Sequence, residues 1–325
     1  LLLTTCAPFA QKKRFRFELY WTKLEGFEEA VKNAWRCDEA ITGPFKRLDA
    51  LYRNAGAALQ AWGQRKTGNI KLSMAVATWV IFRLDKAMDL RQLSLMETWL
   101  QRTLKLCLLG LASLERTIDR QRSRFRWLKE GDANSKFFQA VANGRRAKNF
   151  IPHIKLEDEI ITEQSRMEEV FSDAFHALIG TAQARPYTLD MDFLGMEAQD
   201  LQNLEAIFTE EEVWAVIKEL HPDRAPGPDG FPAIFFERNW STVKQDVVNA
   251  VLNLFKEGSM PKGINDAVIV LIPKKNNPEY LKDFRPISLC NMIYKVISKY
   301  LVNRLRPLLD ELISETQSAF IPGRL

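Results

Sequence analysis

Residues 24–126 contain few of the residues that interrupt helices. Proline and glycine are scarce there, and apolar residues recur every three or four positions. One leucine stripe shows the spacing: Leu100, Leu104, Leu108 and Leu111. Such a repeat is typical of amphipathic helices. The pattern therefore predicts an extended helical array, with breaks at Gly43-Pro44 and at residues 67–69, where glycine, proline and asparagine favour turns.

The composition is that of a globular protein, because 46% of the 325 residues are hydrophobic and 27% are charged. This length suggests about two domains. No stretch approaches the roughly 18 consecutive apolar residues of a membrane helix, so we expect no membrane partner and no secretion. The four cysteines form no close pair and the three histidines stand apart, which argues against a disulfide framework or a zinc site.

Charge is divided unevenly along the chain. Residues 1–150 carry 28 Lys and Arg against 14 Asp and Glu, whereas residues 151–325 carry 18 against 27. Ten basic and only three acidic residues lie within 116–148, with aromatic residues among them. Because cations neutralise phosphates and aromatic rings stack on bases, this segment predicts binding of single-stranded nucleic acid. The candidates are Arg122, Arg124, Arg126 and Lys129. A solvated helix face with core aromatics explains the same pattern.

The next stretch is acidic and connects two larger regions. Residues 157–212 carry 15 acidic and two basic side chains, a surface that repels phosphate. Residues 151–156 and 160–161, separated by polar residues, favour a small hairpin. Residues 167–179 have the period of an amphipathic helix, and residues 180–192 are expected to be a linker.

Turn and cap residues organise the second half. Thr209 and Glu212 form a capping-box pattern that starts a short helix. The prolines and glycines of residues 225–230 (APGPDG) predict a loop. Helices are expected to resume over residues 232–256, with a second cap at Ser241, and to stop at Gly258.

A strand, a loop and a second strand follow. Residues 267–272 are β-branched and apolar and predict a buried strand, residues 274–283 are polar, and residues 284–289 return in extended form. Ser288 is then expected to cap a helix whose apolar stripe faces the core.

Four strings of the sequence carry a family resemblance. They are SRFRWLKEGDANSKFF (123–138), APGPDGFPAIFFERNW (225–240), VLIPKKNNPEYLKDFRPISLCNMIYKVISKYLVNRL (270–305) and QSAFIPGRL (317–325). In this order they resemble reverse transcriptases of plant LINE-type, non-LTR retrotransposons. The opening FRFELYWTKLEGFEEAVKNAW (15–35) resembles the segment that joins the family's endonuclease to its polymerase. Two positions depart from the family pattern, since Ala133 and Gln139 replace a basic residue and a histidine.

The resemblance implies an α/β fold, mostly α, from the right hand of fingers, palm and thumb. Residues 1–150 would be the helical, basic linker between endonuclease and polymerase. Residues 151–206 would be the acidic hairpin-helix connector. Residues 207–325 would be the fingers and the first palm helix, with the palm incomplete. A family member works on an RNA template, a DNA primer and dNTPs, in the nucleus or cytoplasm.

Catalysis by this family requires aspartates that hold two Mg²⁺ ions roughly 3.5–4 Å apart. The chain ends before the family's aspartate motifs, so we expect Mg²⁺ in the complete enzyme and none held by this fragment. Two pairs mimic such motifs. Asp85 and Asp89 lie within helical sequence and are interpreted as a helix surface, and Asp190 and Asp192 are interpreted as linker residues.

Nucleotide handling is what the resemblance assigns to the remaining residues. Lys274 and Arg285 are placed to meet one triphosphate, with a bidentate fork from the guanidinium. Gly227 lies in a loop that is interpreted first as a rigid turn and second as backbone along the template. Gln317 and Arg324 would lead into the palm and contact the template or the incoming base.

Three hypotheses are therefore open. The first is a fragment of an RNA-directed DNA polymerase that binds template and nucleotide but does not catalyse by itself. The second is a non-enzymatic nucleic-acid-binding module built on residues 116–148. The third is a helical interaction scaffold, for which protein partners are unknown. Primer extension, salt-dependent RNA binding and tight protein binding without RNA affinity distinguish them.

Overall fold

The structure is a computed structural model that describes residues 14–123, 135–157, 159–180, 204, 206–222, 224–258 and 260–309. Within these ranges helices dominate, and the strands form two antiparallel hairpins. The expected α/β, mostly α class is confirmed. No helix in the described part of the chain is long and apolar enough to cross a membrane.

The chain divides into two compact units. One comprises the described residues of Leu1–Lys148 together with Asp229–Val243, and the other those of Asn149–Pro228 and Lys244–Leu325. The first division falls beside the predicted end of the basic region at residue 150. Residues 229–243 belong to the first unit, although the sequence grouped them with residues 207–325. The assignment of three functional regions stays a prediction.

Helices form the first unit. In chain order they are the 3₁₀ helix Leu19–Lys23, α1 (Phe27–Ala34), α2 (Pro44–Thr67), α3 (Ile70–Met88), α4 (Leu95–Ser123), α5 (Ser135–Asn149) and α8 (Ala233–Arg238). The breaks predicted before Pro44 and after Thr67 are confirmed. A third break precedes α4, where Ser94 and Glu97 form a reciprocal capping box. The Glu97 N–H donates to the Ser94 Oγ across 3.2 Å, and the Ser94 N–H donates to the Glu97 carboxylate across 2.9 Å.

Aromatic side chains fill the core of the first unit. Phe17 lies 5.3 Å from Phe235 and 5.6 Å from Trp21, measured between ring centroids. On α2, Leu51 and Leu59 are fully buried. Their burial removes apolar surface from water and anchors α2 and α8 in one core.

The α3–α4 pair is less covered than this core. Trp79 is 63% exposed and Trp99 is 61% exposed. Between the two helices, Gln101 donates to Asp85 across 2.6 Å, and Lys105 lies 3.8 Å from the same carboxylate. Polar contacts therefore supplement the packing of this pair.

The second unit contains helices and both hairpins. Its elements are β1 (Ile154–Leu156), β2 (Glu159–Ile161), α6 (Gln164–Ile179), α7 (Glu210–Glu219), β3 (Ala267–Pro273), β4 (Phe284–Cys290) and α10 (Met292–Leu305). The helix α9 (Trp240–Glu257) contains the division between the units. The Thr209–Glu212 capping box of α7 is confirmed, and so is the stop at Gly258, whose φ is +62°.

Two predicted helix starts are wrong. α9 begins at Trp240 rather than after Ser241, because Asn239 is buried and its side-chain amide donates to the Phe235 carbonyl across 2.7 Å, which ends α8 there. Ser288 lies inside β4, and α10 begins after Asn291. Both residues that the sequence assigned to a cap therefore lie inside an element, Ser241 in α9 and Ser288 in β4.

The first hairpin supports one face of the second. Ile154 pairs with Ile161 in the β1–β2 ladder, and both are buried with Met167, Phe171 and Phe284 in one cluster. The Lys155 backbone N–H donates to the Glu279 carbonyl across 2.7 Å. The predicted hairpin at residues 151–161 is thus confirmed.

Burial of the β3 strand was predicted wrongly. The strand forms as expected and pairs with β4. However, Ile269 is 46% exposed and Ile272 is 41% exposed. An apolar run indicates a strand, but its burial depends on distant residues, and here the apolar cluster reaches Leu271 without burying Ile269 on the same face.

Candidate functional site

The β3–β4 ladder determines where the two predicted nucleotide-binding cations lie. Arg285 is the Cα partner of Ile272, and Phe284 is the partner of Pro273. Residues directly opposite each other in an antiparallel pair project to the same face. Arg285 and Ile272 therefore share a face, and Lys274 follows Ile272 by two positions at the loop end of the hairpin.

The two faces of this hairpin differ. Phe284 and Leu271 pack on the cluster formed with the first hairpin and α6. The opposite face carries Arg285 and partly exposed apolar side chains. These are Val270 at 37%, Ile272 at 41% and Ile287 at 40% exposure. The face thus combines a planar cation with an apolar surface.

Arg285 is exposed, and its guanidinium has no hydrogen bond or ion pair with any residue in the described ranges. A guanidinium presents donors in a fixed fork that matches phosphate oxygens. Its geometry suits an anionic ligand lying along this face of the hairpin.

One carboxylate organises the loop between the strands. The Asp283 Oδ2 accepts the backbone N–H groups of Glu279 and Tyr280, each across 3.1 Å, and lies 3.0 Å from the Lys275 ammonium. These contacts lower the pKa of Asp283 to about 2. The hydrogen bond from the Tyr280 N–H is the main cause, and the Lys275 ammonium and the Glu279 N–H lower the pKa further. Sequence analysis missed this residue, although an aspartate three positions after Tyr280 at a 3₁₀ helix start was the available signal.

Lys274 takes part in closing the same loop. Its Nζ donates to the Lys282 carbonyl across 2.7 Å, and its backbone N–H donates to the Asp283 carbonyl across 2.7 Å. An ammonium has three donors, so two remain on the exposed side chain. Nucleotide binding by Lys274 and Arg285 stays a prediction.

The Pro-Gly loop has a structural role. A Cβ at Gly227 would overlap the Cys290 carbonyl and the Asn291 amide at the junction of β4 and α10, so only glycine fits there. On α10, the Lys295 Nζ donates to the Ala225 carbonyl across 2.9 Å. The close approach at Gly227 is a physical reason for the rigid-turn interpretation. Template contact by Gly227 stays a prediction. No pattern in the sequence pointed to Lys295.

Besides Gly227, Arg122 is the predicted nucleic-acid contact that lies within the described residues. Arg122 is exposed near the end of α4 and lines a cavity of about 460 Å³ with residues of α3 and α5. The remaining candidates lie outside the described residues: Arg124, Arg126, Lys129, Gln317 and Arg324.

The cavity contains a polar pair that sequence analysis did not identify. Asp119 is 9% exposed, and the Gln139 Nε2 donates to its Oδ2 across 3.0 Å. Gln139 is the position noted for a missing histidine. A buried carboxylate with one oxygen held by a donor can still accept a hydrogen bond from a bound group.

The described residues do not fit a two-Mg²⁺ site. Among them, no group of three or more His, Cys, Asp and Glu side chains is arranged to hold a metal ion. The Asp85 carboxylate is engaged by Gln101 and Lys105 between α3 and α4, in line with its interpretation as a helix-surface residue. Asp190 and Asp192 lie outside the described part of the chain.

Two comparisons with known proteins found a match. Residues 272–325 match the family model of reverse transcriptases, described as RNA-dependent DNA polymerases. An alignment of 309 positions, which covers 92% of this chain, is 25% identical to the Transposon TX1 uncharacterized 149 kDa protein of Xenopus laevis. The chain spans 24% of that relative's length.

These matches confirm the resemblance at a coarse level. The C-terminal part of the chain is similar to reverse transcriptases, and most of its length is similar to a transposon protein. The matched relative comes from an amphibian, so it does not support the plant origin.

Proposed function

We propose that the chain is a fragment of an RNA-directed DNA polymerase from a non-LTR, LINE-type retrotransposon. One observation carries the proposal: the reverse-transcriptase match begins at Ile272, the partner of Arg285 in the hairpin. The fragment would supply the basic linker and the fingers. A plant source is the finer form of the proposal and rests on the four sequence strings.

The proposed ligands are an RNA template, a DNA primer and a dNTP, in the nucleus or cytoplasm. Arg285 would hold triphosphate oxygens through its fork, and Lys274 would add a second positive charge. The apolar side chains Val270, Ile272 and Ile287 would contact the neighbouring base or sugar. Template contacts are proposed for Gly227 and for Gln317 and Arg324.

Mg²⁺ belongs to the proposed complete family enzyme and not to these 325 residues. When bound there, it would stabilise charge on the transferred phosphate. The described carboxylates do not fit that role, so the fragment is proposed to bind without catalysing.

The first prediction concerns Arg285. Arg285→Ala should weaken dNTP binding to the chain on a primed RNA template about tenfold, because a charge-assisted fork is lost. Fluorescence titration with a labelled dNTP measures this. Lys262→Ala is the matched control, since Lys262 is an exposed cation before β3. Equal affinities of Arg285→Ala and the unaltered chain would contradict the proposal, whereas primer extension by the purified chain with Mg²⁺ would contradict only its inactivity.

A second candidate is a nucleic-acid-binding module around residues 116–148. It is favoured by Arg122, which is exposed at the rim of the cavity in the first unit. Its affinity for single strands should fall with salt at a slope of about 0.7 per neutralised phosphate.

A further inference from the structure

The cavity beside Arg122 lies where four segments of the first unit meet. Its walls come from the 3₁₀ helix, the turn between α2 and α3, the end of α4 and the middle of α5. A volume of about 460 Å³ is within the range of small-ligand sites, which are typically about 300–1,000 Å³.

The walls combine an apolar surface with one buried acceptor. Phe138 is 5% exposed and Ile118 is 8% exposed, and both line the space. Asp119 lies among them with one oxygen held by Gln139. A carboxylate has two oxygens and about four acceptor sites, so it retains capacity for an N–H group that enters the cavity.

Two cations lie at the cavity lining. Lys71 on α3 and Arg122 on α4 are both exposed. Glu115 also lines the cavity, so the lining does not attract anions in general. Phosphates are therefore expected beside Lys71 and Arg122, and an uncharged group is expected within.

We propose that this cavity takes one unstacked, amino-bearing base of a single-stranded nucleic acid. Asp119 accepts a hydrogen bond from the exocyclic amino group, Phe138 and Ile118 contact the ring, and Lys71 and Arg122 contact the flanking phosphates. Carboxylates accept from the N4 amino group of cytosine, whereas uracil presents a carbonyl oxygen there. The site thus discriminates cytosine from uracil. This inference rests on the proposed function in taking nucleic acid as the ligand.

The test compares two RNA probes that differ in this one group. Fluorescein-labelled oligo(C) and oligo(U) of twelve nucleotides are titrated with the full chain, and binding is followed by anisotropy. The unaltered chain should bind oligo(C) about fivefold or more tightly than oligo(U). Asp119→Asn should reduce this ratio to about one, because an amide can present its oxygen to the cytosine amino group or its NH₂ group to the uracil O4.

A second variant protects the test against misfolding of Asp119→Asn. Ala142→Phe on α5 fills the cavity without changing the carboxylate, and it should also abolish the preference while binding remains salt-dependent. Asp89→Asn, an exposed carboxylate after α3, is the control and should keep the preference.

The outcomes separate this inference from the proposed function. Equal binding of both probes by the unaltered chain, with a normal salt slope, overturns the base site and leaves the proposed function standing. Persistence of the preference in both Asp119→Asn and Ala142→Phe also overturns it. Absence of any RNA binding overturns both.

Discussion

The two β-hairpins of the second unit have similar topology but differ in how the apolar cluster of that unit covers them. In β1–β2, Ile154 is fully buried and Ile161 is 3% exposed, both within one apolar cluster. In β3–β4, one face joins that same cluster through Phe284, while the other exposes Ile272 beside Arg285.

The difference shows that the first hairpin provides support and the second provides a surface. Apolar side chains on a solvated face contribute little to stability, because they remain largely in water. The proposed dNTP would cover this face of the second hairpin, whereas Ile154 and Ile161 have their partners in the apolar cluster. Three predictions test this contrast.

The largest expected effect is at Ile154. Ile154→Ala should lower the free energy of unfolding by about 2–5 kcal/mol, since it leaves a cavity in the cluster. Ile272→Ala should lower it by less than about 1 kcal/mol, because the side chain is partly exposed. Urea unfolding measures both. Similar losses in the two variants would show that the second hairpin is also a stability element.

A smaller loss is expected where the end of β4 meets the Pro-Gly loop. Gly227→Ala should destabilise the chain by about 1–3 kcal/mol, because the new methyl group overlaps the backbone at Cys290 and Asn291. Gly144→Ala on α5 is the matched control. Its Cβ meets nothing, and alanine favours helices by about 0.5–1 kcal/mol. A neutral Gly227→Ala would refute the close approach.

The smallest effect is a pH dependence from the hairpin loop. The pKa of Asp283 is about 2 in the folded chain and about 3.9 when unfolded. A group whose pKa is lowered by folding stabilises the folded chain at pH values above its unfolded pKa. This contribution is lost as the pH falls from about 4 to about 2. Asp283→Asn should therefore make the free energy of unfolding less sensitive to acid in this window, as measured by urea unfolding at several pH values. Asp266→Asn, which changes an exposed carboxylate at the other end of β3, should retain the sensitivity of the unaltered chain.

The parts of the fold that sequence predicted depend on neighbouring residues. Local turn and cap residues determine several of these features. They are the breaks at Pro44 and Thr67, the capping box at Thr209 and the helix end at Gly258. The pairing of β3 with β4 follows from two extended runs around one polar loop. Such features require no knowledge of distant contacts.

The parts that sequence did not predict depend on residues far apart. The exposure of β3 depends on how far α6 and the first hairpin cover it. The cap predicted at Ser288 was wrong because β4 extends through it to pair with β3. The Asp119–Gln139 pair joins α4 to α5 across twenty positions. The residues proposed to bind a ligand are of this second kind, which is why Arg285 was suggested only by family resemblance.

Lys155 and Glu279 lie 124 positions apart, yet their side chains form an ion pair of 2.8 Å. At a synthesis rate of about 5–20 residues per second, about 6–25 s separate their appearance from the ribosome. During that interval Met167 and Phe171 lack their later partner Phe284. A nascent chain of this protein is therefore expected to need chaperone protection until the second hairpin has been translated.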